Sequence, residues 1–151
     1  MLDDTDRCIL RYWQAEPSLA PGELAQRVGT SPARIARRLA RLKDKGITLG
    51  VETDINWLAL GYAVEVSLRI TLDKTVPRAF ETFMAQARQV PEVLEIQTFL
   101  GRVDVRLRVI ARDMGHYQQI YRDHVLALPH IADIEALMHL VRTKSDQGLP
   151  I

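Results

Sequence analysis

Apolar residues recur at helical spacing through the first 45 positions of the chain and at strand spacing from about residue 62 onward. The opening run Leu2-Asp3-Asp4-Thr5-Asp6 puts acids where a helix N-terminus favours them. Ile9, Leu10 and Trp13 follow as an apolar stripe, which predicts a helix from Asp4 to Ala15, ended by Pro17. Pro21 opens a second, short helix that carries Leu24, Ala25 and Val28 inward. Gly29-Thr30 makes a tight turn. Ser31-Pro32, an N-cap followed by proline at the first helical position, starts a third helix that runs to Lys45 and stops at Gly46. Ile35, Leu39 and Leu42 form its core stripe, and Arg34, Arg37, Arg38 and Arg41 lie around the other side. Ile47 to Asp54 is bounded by glycines and apolar at alternate positions, predicting a short wing strand that leads into a linker.

The period then changes to two. Tyr62, Val64, Val66, Leu68, Ile70 and Leu72 alternate with Ala63, Glu65, Ser67, Arg69 and Thr71, the pattern of a strand buried on one face. A helix starting near Pro77 carries Phe80, Phe83, Met84 and Ala87. Two strands follow, Val93 to Leu100 and Val103 to Ile110, joined across Gly101-Arg102 as a hairpin. A further helix spans Asp113 to Leu128, with His124 near its apolar stripe and read as a packed residue. The last strand runs from Ile131 to Arg142 with Ala132, Ile134, Ala136, Met138 and Leu140 on its apolar face. The order β-α-β-β-α-β specifies a ferredoxin-like fold with helices on one side of a four-stranded antiparallel sheet, so the chain is α+β. The expected organisation is a helix-turn-helix over residues 1–46, a wing strand and linker over 47–60, and the second domain over 61–151.

Helices cover one sheet face and leave the other to solvent or a partner. Alternation puts Glu65, Ser67, Arg69, Glu95, Gln97, Phe99, Val103, Val105, Leu107, Val109, Glu135, Leu137 and Val141 on that open face. In the alternative, Asp104, Arg106 and Arg108 exchange faces with the valines of the hairpin's second strand. Either surface is mixed and partly apolar, which favours dimerisation through the sheet.

Composition adds little until it is divided. The 151 residues hold 20 Lys+Arg against 19 Asp+Glu, a net charge of +1, with an ordinary 47% hydrophobic content. Residues 1–50 carry 9 basic and 6 acidic side chains, however, and residues 51–151 carry 11 and 13. Between Arg34 and Lys45, six basic residues (Arg34, Arg37, Arg38, Arg41, Lys43 and Lys45) meet one acid, Asp44. A short helix, a glycine turn and a capped helix with an outward arginine face form the plan of a DNA-reading helix-turn-helix. Arginine suits it because the planar guanidinium pairs bidentately with guanine edges or with phosphates. The expected DNA-contacting set is Ser31, Arg34, Arg37, Arg38, Arg41, Lys43 and Lys45, with double-stranded DNA as partner.

Other chemistry is sparse. The single cysteine, Cys8, excludes an internal disulfide and a cysteine zinc cluster. His116, His124, His130 and His139 show no metal-ligand spacing, and no phosphate loop, nucleophile elbow or carboxylate pair stands out. No cofactor or metal is expected. With no secretory-type start and no membrane-length apolar run, a cytoplasmic protein without a membrane partner is expected.

Several segments carry a resemblance. Leu2-Asp3 through Ile9-Leu10, Glu23-Leu24-Ala25-Gln26-Arg27-Val28-Gly29-Thr30-Ser31, and Arg37-Arg38-Leu39-Ala40-Arg41-Leu42 ending in Lys45-Gly46-Ile47 are similar to the Lrp/AsnC (feast/famine) transcriptional regulators. Leu58-Ala59-Leu60-Gly61, Val90-Pro91-Glu92-Val93, Gly101-Arg102-Val103-Asp104 and the tail from Lys144 to Leu149-Pro150-Ile151 extend the resemblance along the chain. It implies an N-terminal winged helix-turn-helix, a C-terminal regulator-of-amino-acid-metabolism (RAM) domain, and homodimers that assemble to tetramers or octamers. It also implies an amino-acid effector pocket between subunits at Leu100, Gly101, Arg102, Val103 and Asp104, with Glu135 from the last strand. In that reading Gly101 permits close backbone approach and Asp104 accepts from the effector's ammonium group. Relatives often carry an aromatic residue where this chain has Val103, and hydroxyl residues where it has Glu135 and Ala136. Two alternatives stand beside this reading. One is an effector-independent oligomeric regulator. The other is an enzyme like the siroheme decarboxylases, which share the two-domain plan, although their histidine-containing strand is absent at Glu95-Ile96-Gln97-Thr98-Phe99.

Overall fold

The computed structural model describes residues 2–145 and 148–151. The chain forms two compact units, one made of residues 1–54 together with 144–151, the other of residues 55–143. The C-terminal segment, expected with the second domain, thus belongs to the first unit. Residues 146 and 147 of that segment lie outside the described residues.

The first unit is built from α1 (Asp4–Ala15), α2 (Pro21–Val28) and α3 (Pro32–Asp44). Each start has a local chemical cause. Asp3 and Asp6 form a reciprocal capping box on α1, each carboxylate accepting the other's backbone N–H. The Glu23 carboxylate accepts the Ala20 N–H at 3.0 Å ahead of α2. The Ser31 hydroxyl accepts the Arg34 N–H at 3.4 Å ahead of α3, where Pro32 occupies the first turn. Gly29, at φ +74°, takes the left-handed conformation that closes α2, and the Thr30 N–H returns to the Ala25 carbonyl at 2.9 Å. Ile9, Leu24, Ile35 and Leu42 are fully buried where the three helices meet, and Leu19 and Ala25 fill the seam.

The expected wing strand does not form. Ile47 to Asp54 is irregular, with Leu49 and Val51 exposed. Alternating sequence makes a strand only when a second strand answers its N–H and C=O groups, and the described residues of this unit offer none. The segment 149–151 is tied to α1 instead. The Gln14 amide and the Leu149 backbone exchange two hydrogen bonds at 2.8 and 2.9 Å, and Arg11 donates to the Ile151 carbonyl at 2.7 Å.

In the second unit β1 (Val64–Leu72), β2 (Val93–Thr98), β3 (Val105–Ala111) and β4 (Ile131–Met138) form an antiparallel sheet in the order β2-β3-β1-β4. Helices α4 (Ala79–Ala87) and α5 (Met114–Ile120) cover one face, and α5 continues as a π-helical turn over Tyr121–Val125. Phe83, Ala87, Ile120 and Val125 from this layer pack on Val66, Leu68 and Ile70. Val105, Leu107 and Val109 are fully buried there too, so the open face takes Arg106 and Arg108. Register decides it, because Leu68 pairs with Leu107 and Ser67 with Arg108, and paired residues share a face.

Four further expectations are corrected. The hairpin connection is longer than Gly101-Arg102, because pairing stops at Thr98 and resumes at Val105. Strand β4 ends at Met138, leaving Leu140 and Val141 exposed. Phe80 is 44% exposed, since the packed stripe of α4 is carried by Phe83, Met84 and Ala87. His124 is exposed rather than packed, because the π turn brings Val125 inward in its place.

Candidate nucleic-acid interface and effector loop

The basic residues of α3 divide into two groups. Arg34, Arg37, Lys43 and Lys45 are exposed, and among the described residues none has an intramolecular ion pair. Arg38 and Arg41 turn back toward α1. Arg38 donates to both oxygens of Asp3 at 2.8 and 2.7 Å and to Asp6 at 2.7 Å, and Arg41 donates to the other oxygen of Asp6. Asp6 is fully buried. The Arg38 guanidinium, and next the Asp6 N–H, hold the Asp3 carboxyl below the ordinary aspartate range, while Asp3 and then Asp6 raise Arg38 above its own. Ser31, expected at the DNA, spends its hydroxyl as acceptor in the helix cap.

Sequence reasoning missed the role of Asp3 and Asp6, reading them only as acids at a helix start. The signal was present as complementary spacing. Positions 3 and 6 lie one turn apart on α1, as do positions 38 and 41 on α3, so two carboxylates meet two guanidiniums.

The loop Leu100 to Asp104 is pinned at its C-terminal end. The Asp104 N–H donates to the Ile70 carbonyl at 3.0 Å, and the Asp104 carbonyl accepts the Phe99 N–H at 2.9 Å. The Asp104 carboxylate accepts the Leu72 N–H at 2.8 Å and lies 3.3 Å from the Lys74 ammonium. Thr71 donates its hydroxyl to the Arg102 carbonyl at 3.0 Å. Leu100 is fully exposed, and a Cβ at Gly101 would meet nothing within 4 Å, so no close approach there requires glycine.

The expected effector residues do not share one pocket. Arg102, Val103 and Glu135 line a cleft of about 480 Å³ with Arg69, Thr71, Asp133 and Ile134. Asp104 faces a separate cleft of about 280 Å³ formed with residues from Leu72 to Glu81. In the first, Arg69 and Glu135 stand 3.7 Å apart, both about half exposed.

On the open sheet face the buried Glu65 carboxylate accepts from Arg108 at 2.6 Å and from Arg142 at 2.9 and 3.1 Å, with His139 Nδ1 at 3.7 Å. The Arg108 guanidinium lies 6.0 Å from the centre of the Trp57 ring. Among the described residues, no cluster of three His, Cys, Asp or Glu side chains could hold a metal ion, and no helix is long and apolar enough to cross a membrane.

Comparison with known proteins matches residues 2–43 to the AsnC-type helix-turn-helix domain and residues 65–149 to the Lrp/AsnC ligand binding domain. The chain is 32% identical over 132 residues to the proline dehydrogenase transcriptional activator of Rhodobacter capsulatus, covering 87% of this chain and 86% of that protein. It is 30% identical over 150 residues to the leucine-responsive regulatory protein of Salmonella typhimurium, covering 99% and 92%. Among solved structures, a transcriptional regulator of Neisseria meningitidis in complex with L-Met superposes with a TM-score of 0.91 at 29% identity, covering 99% of this chain and 97% of that one. Each of these relatives is a transcriptional regulator, not an enzyme.

Proposed function

From the premise that the chain belongs to the Lrp/AsnC family of DNA-binding transcriptional regulators, we propose that α3 reads a specific duplex and that an amino acid binding beside the Leu100–Asp104 loop modulates it. The observation that carries the DNA reading is the basic surface of α3: Arg34 and Arg37 in its N-terminal half and Lys43 and Lys45 at its end, all exposed and, among the described residues, without an internal ion pair. The N-terminal residues of a recognition helix reach base edges, so Arg34 and Arg37 are the readers, and the two lysines serve as phosphate contacts. Fluorescence anisotropy against DNA from upstream of the chain's own gene tests this. Binding should weaken steeply with salt, whereas salt-independent or undetectable binding would count against regulation through DNA.

Relatives carrying leucine-responsive and L-Met-complex names support an amino-acid effector. The 480 Å³ cleft favours a polar one, since Arg69 and Arg102 suit a carboxylate, Asp133 and Glu135 suit an ammonium, and only Val103 and Ile134 offer apolar contact. A thermal-shift panel of amino acids checks the assignment. An effector at a hundred times its Kd should stabilise the protein by about 2.7 kcal/mol. The polar sheet face, with Arg69, Arg106 and Arg108 set among Glu95 and Glu135, supports homodimers through self-complementary charge, and from them tetramers or octamers. Measured mass with and without amino acids and DNA tests that assembly.

A further inference from the structure

The arginines of α3 do not have equal access to a duplex. Asp6 is wholly buried and receives Arg38 on one carboxylate oxygen at 2.7 Å and Arg41 on the other at 2.5 Å. Asp3 receives the same Arg38, and its backbone exchange with Asp6 fixes the first turn of α1. Positions 38 and 41 lie one turn apart on α3 and their guanidiniums converge on Asp6, so a single carboxylate grips that helix through side chains rooted at two heights along its axis. A two-point grip on a second face adds to the restraint on rotation of α3 that its buried stripe of Ile35 and Leu42 already supplies. At about 100° per residue, Arg37 then projects almost opposite that stripe, with Arg34 beside it. Drawing Arg41 onto a phosphate would leave the desolvated carboxylate with one charged partner, Arg38, beside the Asp3 N–H, which opposes the exchange.

We propose that Asp6 is a positioning residue for DNA reading, setting the rotation of α3 and withholding Arg38 and Arg41 from the duplex so that Arg34 and Arg37 meet the base edges. The proposal rests on the DNA-reading assignment above. Asp6 lies outside α3, on the first helix of the chain, and acts only through the arginines it holds.

The test uses the full chain and two duplexes, one enriched from a randomised pool by the wild type and one scrambled to the same composition. Asp6→Asn keeps the shape but removes the charge. It should lower the ratio of specific to scrambled affinity about tenfold. It should also steepen the dependence of log K on log salt by about one to two, as released guanidiniums find phosphates. A variant that merely loosened the fold would lower the active fraction and move neither quantity. Arg41→Ala, at a half-exposed side chain, covers the case in which Asp6→Asn does not fold. It should lower the same ratio while leaving the salt slope unchanged. An Asp6→Asn protein with wild-type ratio and slope, or an Arg41→Ala protein whose slope flattens by about one, overturns the proposal. A wild type with no duplex preference would instead sink the DNA-reading assignment itself.

Discussion

Among the described residues, each unit of the molecule buries one carboxylate and closes two arginines on it, yet the two arrangements differ in what they join. In the first unit both arginines on Asp6 come from α3, so the cluster ties one helix to another. In the second, Glu65 of β1 takes Arg108 from the neighbouring strand and Arg142 from beyond β4, with His139 close by and Trp57 beside Arg108. Asp6 draws its charged partners from a single helix, whereas those of Glu65 have independent origins. A buried charge tolerates the loss of one partner only if others remain, so removing the arginines of one element should harm Asp6 more than Glu65.

Arg38→Ala together with Arg41→Ala leaves Asp6 with the Asp3 N–H and no charged partner, and should destabilise the first unit by about 3–5 kcal/mol. Each unit holds one of the chain's two tryptophans, Trp13 and Trp57, so denaturant unfolding followed in a Trp57→Phe background reports on the first unit alone. Arg108→Ala should cost the second unit less, about 1–3 kcal/mol, because Arg142 still serves Glu65, and a Trp13→Phe background reads that loss. Arg34→Ala touches neither cluster. It should reduce specific DNA affinity by about 1–3 kcal/mol while leaving stability within about 0.5 kcal/mol, a separation visible by anisotropy beside thermal melting. Ser31→Ala should cost about 0.5–1 kcal/mol, the low end for a cap, because its hydrogen bond is long at 3.4 Å.

The smallest effect is with acid. Asp3 is held below its ordinary value in the fold by Arg38 and the Asp6 N–H, so its contribution is complete above the unfolded aspartate pKa of about 4. It disappears as pH falls through the lower folded value. Thermal melts between about pH 5 and 2 should show a small decline in that window, and Asp3→Asn should blunt it.

What the sequence disclosed and what it withheld follow the range of the interactions. The three helices of the first unit were legible because their causes are local: acids and a serine at the starts, Pro21 and Pro32 inside the first turns, Gly29 after the end. The order of strands and helices in the second unit was legible for the same reason. The partners of Arg38 and Arg41 were not, because the pairing crosses 32 to 35 positions and an arginine row reads alike whether it faces a phosphate or an aspartate. Likewise Val105, Leu107 and Val109 alternate with Arg106 and Arg108 so evenly that only the register against β1 says which set goes inward. The wing failed in the opposite direction: its alternation was local and real, but a strand is a relation between two segments. The loop at Gly101 was found by its residue types, while the engagement of Asp104 with Leu72 and Lys74 needed the third dimension.

The hydrogen bonds between Gln14 and Leu149 and between Arg11 and Ile151 join positions 135 and 140 residues apart. During synthesis, α1 leaves the ribosome well before the segment it will clasp, a delay on the order of ten seconds at ordinary elongation rates. The helical unit therefore begins as a nascent fold and is finished only after the entire sheet has been translated. Of the two units, the one whose helices emerge earlier is the one completed later.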